Sequence, residues 1–519
     1  VYKRFLFRKK PEVLIAEAQQ ANNLMKRNLT AFDLIGFGIG ATIGSGIFAL
    51  TGTAAAGQAA IDKGWLSTPL INYLFGWSLG REGAGPAIVI SFILAAITCG
   101  FAALAYAELA TMIPISGSAY TFAYASLGQL IAWIIGWDLI LEYAVGNIAI
   151  AVSWSDYFLH FLHGSFAIKL PLWITTDTHT ALTRIAAVSA DESQRALYSS
   201  LTLPQVAGHA IALNLPALFI VTVITILLVL GVKESALVNG VVVAIKLAVI
   251  LFFIGFGIGF VKPANWIPFA PNGLGGIMGG AAIVFFSFIG FDALSSTVEE
   301  TKDPQKDLPI GMFGTLIICT VLYCAVSLVL TGIVPYGKFV NDAAPVASAL
   351  ASIGHPWAYV LTTIGALAGM TSVLLVFQLG QPRIFMAMAR DRLLPKFFST
   401  LHPKYKTPFL PTILTGVFVG VSAMFSDIGD VAELTNIGTL AAFIICLAGV
   451  IVLRKKEPEL MRTFRCPLVP FIPAVGIILC FGLMLSLPLV TWVRFLIWLA
   501  IGMIIYLLYG LPNSAKFAK

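Results

Sequence analysis

An all-α membrane protein with twelve transmembrane helices, the first and sixth broken, is the fold class that this chain predicts. Three observations carry the prediction. The 519 residues are 58% hydrophobic and only 11% charged, more apolar surface than a soluble domain of this size is able to hide. Apolar stretches close to the ~20 residues that cross a bilayer recur along the whole sequence. The first of them holds Gly36, Gly38, Gly40, Gly44 and Gly46, which loosen a helix where a plain span has no use for them. In hydrocarbon, unwound backbone is tolerated only where protein or a water-filled cavity covers it. Ile43 to Gly46 therefore reads as a break in helix 1, with free N–H and C=O groups aimed at something polar.

Residues 1–31 form a basic arm with Lys3, Arg4, Arg8, Lys9, Lys10, Lys26 and Arg27, and an interfacial helix is expected over 11–23. Helix 1 spans 32–55. Residues 57–85 read as an external loop with interfacial aromatics, among them Trp65, Tyr73 and Trp77. Helix 2 covers 86–112. After an amphipathic lead-in over 119–127, helix 3 runs from 129 to 161. A large polar external loop follows at 164–213, carrying Asp177, His179, Arg184, Asp191, Glu192 and Arg195. Helices 4 and 5 occupy 214–232 and 236–260, joined by Lys233 and Glu234. Helix 6 covers 276–300, helix 7 309–334 and helix 8 356–389. Helices 9 to 12 occupy 409–425, 432–453, 468–488 and 492–510.

An even number of spans places both termini on one side. Arg390, Arg392, Lys396, Lys404, Lys406, Arg454, Lys455, Lys456, Arg462 and Arg465 fall on the same side as the basic arm. The positive-inside rule makes that side the cytoplasm, in an inner (plasma) membrane. The same loops account for the net charge of +7. No nucleic-acid partner is expected, because the basic clusters flank helices and lack interleaved aromatics. No cleavable leader is visible, and the first span is able to serve as the insertion signal. The six cysteines lie in or beside apolar spans and the histidines show no ligand spacing, so neither a disulfide framework nor a metal site is expected.

Ser287-Phe288-Ile289-Gly290-Phe291-Asp292 interrupts helix 6 as the glycines interrupt helix 1. Helix 1 enters from the cytoplasm and helix 6 from outside. Two interrupted helices in corresponding positions of opposed halves point to an inverted five-helix repeat with its site near the midplane. The repeats are 32–260 (helices 1–5, with loops 57–85 and 164–213) and 261–426 with 427–453 (helices 6–10). Residues 454–519 hold helices 11 and 12 and a cytoplasmic tail.

A half-helix N-terminus suits a carboxylate, and unwound carbonyls suit an ammonium. An α-amino acid zwitterion matches both. The Ser45 and Gly46 amides are expected on the carboxylate, and the Thr42 and Ile43 region supplies carbonyls. The Phe286, Ser287 and Ile289 carbonyls complete the ammonium site. The bland alternative is that the glycines only allow close helix packing.

Gly38-Ile39-Gly40, with Ile43-Gly44-Ser45-Gly46-Ile47-Phe48, resembles the signature of the amino acid–polyamine–organocation transporter superfamily. Tyr106-Ala107-Glu108-Leu109, Pro114 and Gly117-Ser118-Ala119-Tyr120 are similar to its second conserved block. Phe285–Pro309 and Ala387–Pro395 resemble the bacterial cationic amino acid transporter family. The likeness covers 24–160 and 215–512 and leaves out the two external loops. It implies a leucine-transporter-type 5+5 inverted repeat, alternating access, and no enzymatic activity.

Glu142 lies mid-membrane in helix 3, where a carboxylate costs about 2.5–3.5 kcal/mol and marks a functional candidate. By resemblance it lines the substrate side-chain pocket with Gly146 and Asn147, and Phe377 packs over that side chain. A structural hydrogen bond for Glu142 and plain core packing for Phe377 stay open. Lys246 lies too deep in helix 5 to snorkel. By resemblance it stands where sodium-coupled relatives bind a cation, against the helix 1 carbonyls. A lysine withdrawn from water is able to exchange its proton, so proton coupling is expected; a permanently charged structural pin is the alternative. Asp292 reads as support within broken helix 6. Glu108, Glu299, Glu300 and Arg383 are suited to an inner gate of ion pairs or to solvated helix ends.

The expectation is an importer of L-amino acids, cationic such as arginine or lysine and also small neutral such as alanine, with the proton as coupling ion and no other cofactor. An ion-independent amino acid/polyamine exchanger and a non-transporting receptor are the alternatives. The sequence leaves the oligomeric state open.

Overall fold

The computed structural model describes residues 8–9, 29–57, 64–75, 82–114, 117–188, 197–231, 236–340, 342, 344–405 and 407–514. The expected interfacial helix over 11–23 lies outside them, as do Asp62, Lys63, Trp77, Arg81, Asp191, Glu192, Arg195, Lys233 and Glu234, and the side chains of Trp65 and Glu299.

Helices make up nearly all the regular structure among the described residues. Eight are long and apolar enough to cross a membrane, and the bent pair Ala31–Thr42 and Gly46–Ala56 of helix 1 makes a ninth. Leu215–Leu230, Phe409–Phe425 and Phe471–Leu485 are shorter apolar helices at the expected places of helices 4, 9 and 11. The lead-in is the separate helix Ser118–Ser126. Helix 3 continues beyond its expected end, to Phe166; it is buried over most of its course and exposed at Gly164 to Phe166. It is the column around which the bundle packs, whereas helix 12 leaves most of its surface outward.

Local chemistry explains where the helices begin. Thr30 and Asp33 form a reciprocal capping box at the start of helix 1: the Thr30 N–H donates to Asp33 Oδ2 at 2.9 Å, and the Asp33 N–H donates back to Thr30 Oγ1. Asn214 starts helix 4 by accepting from the Ala217 N–H, and Asp427 starts helix 10 by accepting from the Gly429 and Asp430 N–H groups.

Backbone contacts fix how the two broken helices run. Leu29, just before helix 1, is bonded on both sides to the end of helix 6, through the Glu300 carbonyl and the Lys302 N–H. At the other end of helix 1, the Ala84 N–H donates to the Ala54 carbonyl, and Asn272 at the start of helix 6 donates to the neighbouring Gly83 carbonyl. Helices 1 and 6 are therefore antiparallel along their whole length.

The described parts of the polar loop 164–213, residues 164–188 and 197–213, are folded, where sequence reasoning left the structure open. They contain the helix Thr178–Val188 and a hairpin pairing Gln205–Val206 with His209–Ala210. Leu159, Leu172, Ala181, Tyr198 and Ala212 give them a small core of their own. Arg184 fastens them to helix 3 with two parallel bonds to Asp156, at 3.0 and 3.1 Å, and a third to the Tyr198 hydroxyl. Burial works against the Arg184 charge, but the Asp156 carboxylate beside it prevails and the guanidinium's pKa is raised.

Candidate substrate site at two broken helices

Helix 1 comes apart where the glycines predict. Thr42 is its last α-helical residue before the bend, and Ile43 turns to extended backbone. The chain resumes as a π-turn over Gly46–Leu50, and the two halves differ in direction by 47°. Helix 6 breaks in its own way. Gly273–Val284 passes into a tight 3-10 turn at Phe285–Phe288, Ile289 is extended, and Gly290 takes φ +118°, a conformation that L side chains rarely adopt. Asp292 supports this turn as expected, its Oδ1 accepting from the Gly290 N–H at 3.1 Å.

The breaks touch. A methyl group on Gly46 would collide with Ser287, and one on Gly290 would lie 2.7 Å from the Ala41 carbonyl oxygen. The glycines thus serve close packing and chain interruption together, so the bland and the functional reading of them meet at one place.

Side chains from neighbouring helices converge on the loosened backbone. From helix 5, the Lys246 ammonium donates to the Gly40 carbonyl at 2.6 Å and to the Ile43 carbonyl at 3.0 Å. It is wholly buried. From helix 7, the Tyr323 hydroxyl lies 2.8 Å from the Ser287 carbonyl oxygen and 3.2 Å from that of Thr42. From helix 10, Asn436 donates to the Ala282 and Ile283 carbonyls just before the helix 6 break. Beyond the helix 1 break, Tyr157 of helix 3 donates to the Phe48 carbonyl at 2.6 Å. Of these four, sequence reasoning singled out only Lys246. The missed signal was chemical: a hydroxyl or amide inside an apolar helix needs a partner, and loosened carbonyls are ready acceptors.

The remaining predicted residues are all buried. Among the described residues, Thr42 Oγ1, Ser45 Oγ and Ser287 Oγ have no hydrogen-bond partner, nor does one carboxyl oxygen of Glu142. Buried polar atoms are rarely left so, and their grouping about the two breaks fits a polar ligand. The Phe286 carbonyl accepts the Ile289 N–H, and the Ile43 and Ser287 carbonyls already accept from Lys246 and Tyr323.

On helix 3, the Glu142 carboxyl is within reach of the Thr439 hydroxyl of helix 10. The Phe377 ring lies against Gly146 and tilts against the Tyr143 ring, 5.4 Å between centroids. Asn147 has another task. With its amide turned to suit its neighbours, it donates to the Leu374 carbonyl and accepts from the Gln378 N–H, so it ties helix 3 to helix 8.

Glu108 anchors the far end of helix 2 and is almost fully buried. It accepts two bonds of 2.8 Å from Arg454 and one of 2.7 Å from the Cys466 N–H, with Arg462 at 3.3 Å. It is an ion-pair centre rather than a solvated helix end, whereas Arg383 is exposed. A cavity of about 550 Å³ lies at the end of helix 3, lined by Asp156, His160, Arg184, Asp342 and Tyr359 among others. None of the predicted substrate residues lines it.

A family model for amino acid permeases matches residues 29–509. The chain is 45% identical to the branched-chain amino acid permease BcaP of Bacillus subtilis (strain 168), with 98% of both chains aligned. It is 44% identical, over the same share of both chains, to the methylthioribose transporter of that organism. Identity to the vacuolar cationic amino acid transporter 4 of Arabidopsis thaliana is 36%, over 84% of this chain and 64% of that one. These relatives are named for carrying solutes across membranes, not for catalysis. The matched stretch takes in both broken helices and the residues gathered on them, and this chain belongs to the amino acid permease family.

Proposed function

We propose that this protein imports L-amino acids across an inner membrane by alternating access, with the substrate's charged head held at the helix 1 and helix 6 breaks. The observation that carries the reading is the direct meeting of the two breaks at Gly46 and Ser287, with partnerless hydroxyls on Thr42, Ser45 and Ser287 around it. The antiparallel course of helices 1 and 6 supports a leucine-transporter-type inverted repeat of helices 1–5 and 6–10, with twelve crossings and both termini in the cytoplasm. In this scheme the Ser45 and Gly46 amides take the carboxylate. The ammonium goes to carbonyls of the Thr42 and Ser287 region.

Lys246 is the coupling group. Its ammonium holds the Gly40 and Ile43 carbonyls as a bound cation would, and loss of its proton frees them. The proton is then the coupling ion, and no other cofactor takes part.

Cationic substrates such as arginine or lysine are the leading class, because Glu142 is a buried carboxyl in helix 3 with one oxygen unpartnered. A second reading, neutral cargo with a branched or small side chain, is favoured by the 45% identity to a branched-chain permease. Uptake of labelled arginine, leucine and alanine into proteoliposomes with an imposed pH gradient tests both. Saturable uptake that the gradient accelerates supports the proposal. Binding without flux would turn the reading into a receptor, and flux only against internal amino acid would turn it into an exchanger.

A further inference from the structure

The geometry points to Tyr323 as a positioning residue for the substrate's ammonium group, one that holds the two broken helices in register. This inference rests on the proposed amino acid site and deepens it. Tyr323 lies within helix 7, is fully buried, and reaches both breaks at once. Its ring is fixed between Phe92, at 5.4 Å, and Phe288, at 5.2 Å between centroids. The Cys319 thiol, one turn earlier on helix 7, is also within the hydroxyl's reach.

Two carbonyls bonded to one hydroxyl lie within about 6 Å of each other, the span that a single ammonium nitrogen bridges. Without the hydroxyl between them, the Thr42 and Ser287 oxygens repel each other. The hydroxyl also has one hydrogen for two acceptors. The shorter contact, to Ser287, takes it, and Thr42 then faces the oxygen at 3.2 Å without a donor. An incoming ammonium supplies that donor. It gives one N–H to the Thr42 carbonyl, and the phenolic oxygen is able to accept another. Tyr323 thus sets the distance between the two carbonyls and leaves one of them unmet, which favours an α-amine over a group with fewer hydrogens.

The test is Y323F in the full-length protein in proteoliposomes, with uptake of the best L-amino acid substrate and competition by its α-hydroxy analogue. The ring and its packing are retained. The expected result is a KM raised about tenfold, corresponding to one hydrogen bond, with kcat changed less than about threefold. The preference for the α-amino over the α-hydroxy compound is expected to shrink by a similar factor. A purely structural role would lower the amount of active protein without touching that preference. An unchanged KM and unchanged preference overturn the inference while leaving the transport reading intact. Wild-type protein that takes up no amino acid overturns the transport reading itself. If Y323F does not fold, 3,5-difluorotyrosine at 323 keeps the hydroxyl and strengthens it as a donor. A shifted KM then supports the inference, and an identical one overturns it.

Discussion

The Lys246 ammonium stands 3.0 Å from the carbonyl oxygen of Ile43, the residue at which helix 1 leaves its helical path. A charge from helix 5 is thus seated on the backbone that the break sets free. If that charge is the coupling element, Lys246→Ala removes acceleration of uptake by an imposed pH gradient. Comparing initial rates with and without the gradient checks it, and a variant that still responds like wild type sinks the coupling role.

Glu142 presents its carboxyl toward Thr439 and leaves one oxygen without a partner. Glu142→Ala is expected to reduce arginine uptake more than alanine uptake, by about tenfold in the ratio of kcat/KM, the worth of one charge-assisted bond. Equal loss for both substrates removes Glu142 from selectivity. Methylthioribose, which has neither amine nor carboxylate, serves as a competitor that the zwitterion site should ignore.

The contact between Gly46 and Ser287 leaves no room for a side chain. Gly46→Ala forces the two breaks apart and is expected to cost about 1–3 kcal/mol, as overpacking does. A thermal-shift measurement in detergent reads this directly. An unshifted melting temperature shows that the breaks part without penalty.

Glu108 is buried, while its partner Arg454 is partly exposed. Removing the carboxylate also takes the counter-charge from Arg462, whose side chain is buried and keeps its bonds to backbone carbonyls. Glu108→Ala is therefore expected to destabilise by about 3–5 kcal/mol, and Arg454→Ala by distinctly less. Parallel melting curves of the two variants make the comparison, and the reverse order contradicts the placement of charge.

Asp342, in the loop between helices 7 and 8, has its carboxyl pushed up to about 6 by burial, against the bonds from Ala344 and Ser348 and the nearby Arg184 that favour its charge. The folded protein therefore keeps this proton where the unfolded chain, near pH 3.8, has released it. The resulting stabilisation is full below about pH 4 and lost as pH rises through about 6. It amounts to about 2–3 kcal/mol. Asp342→Asn is expected to flatten the melting temperature between about pH 4 and 7; a slope equal to wild type contradicts it.

Much of this is legible in the residues alone. The glycine spacing located the helix 1 break to within a residue, because glycines crowded into an apolar run weaken the helix at one defined place. Lys246 stood out because a charge deep in hydrocarbon needs a partner, and loosened carbonyls are the acceptors that a broken helix offers at that depth. Tyr323 and Asn436 stayed hidden for the opposite reason. Each is an ordinary residue in its own helix, and only the crossing of helices 7 and 10 with the breaks gives it a task. The place of Asn147 one turn from Glu142 gave no sign that its amide also ties helix 3 to helix 8. The fold of the described parts of 164–213 was illegible because their core is drawn from a few residues at distant positions, with no periodic signal.

The Arg184–Asp156 clamp has a practical consequence. It ties the helix Thr178–Val188 to helix 3, the longest helix among the described residues. Antibody fragments raised against the hairpin Gln205–Ala210 would bind away from the two broken helices. Such a fragment would add mass for cryo-microscopy without covering those helices.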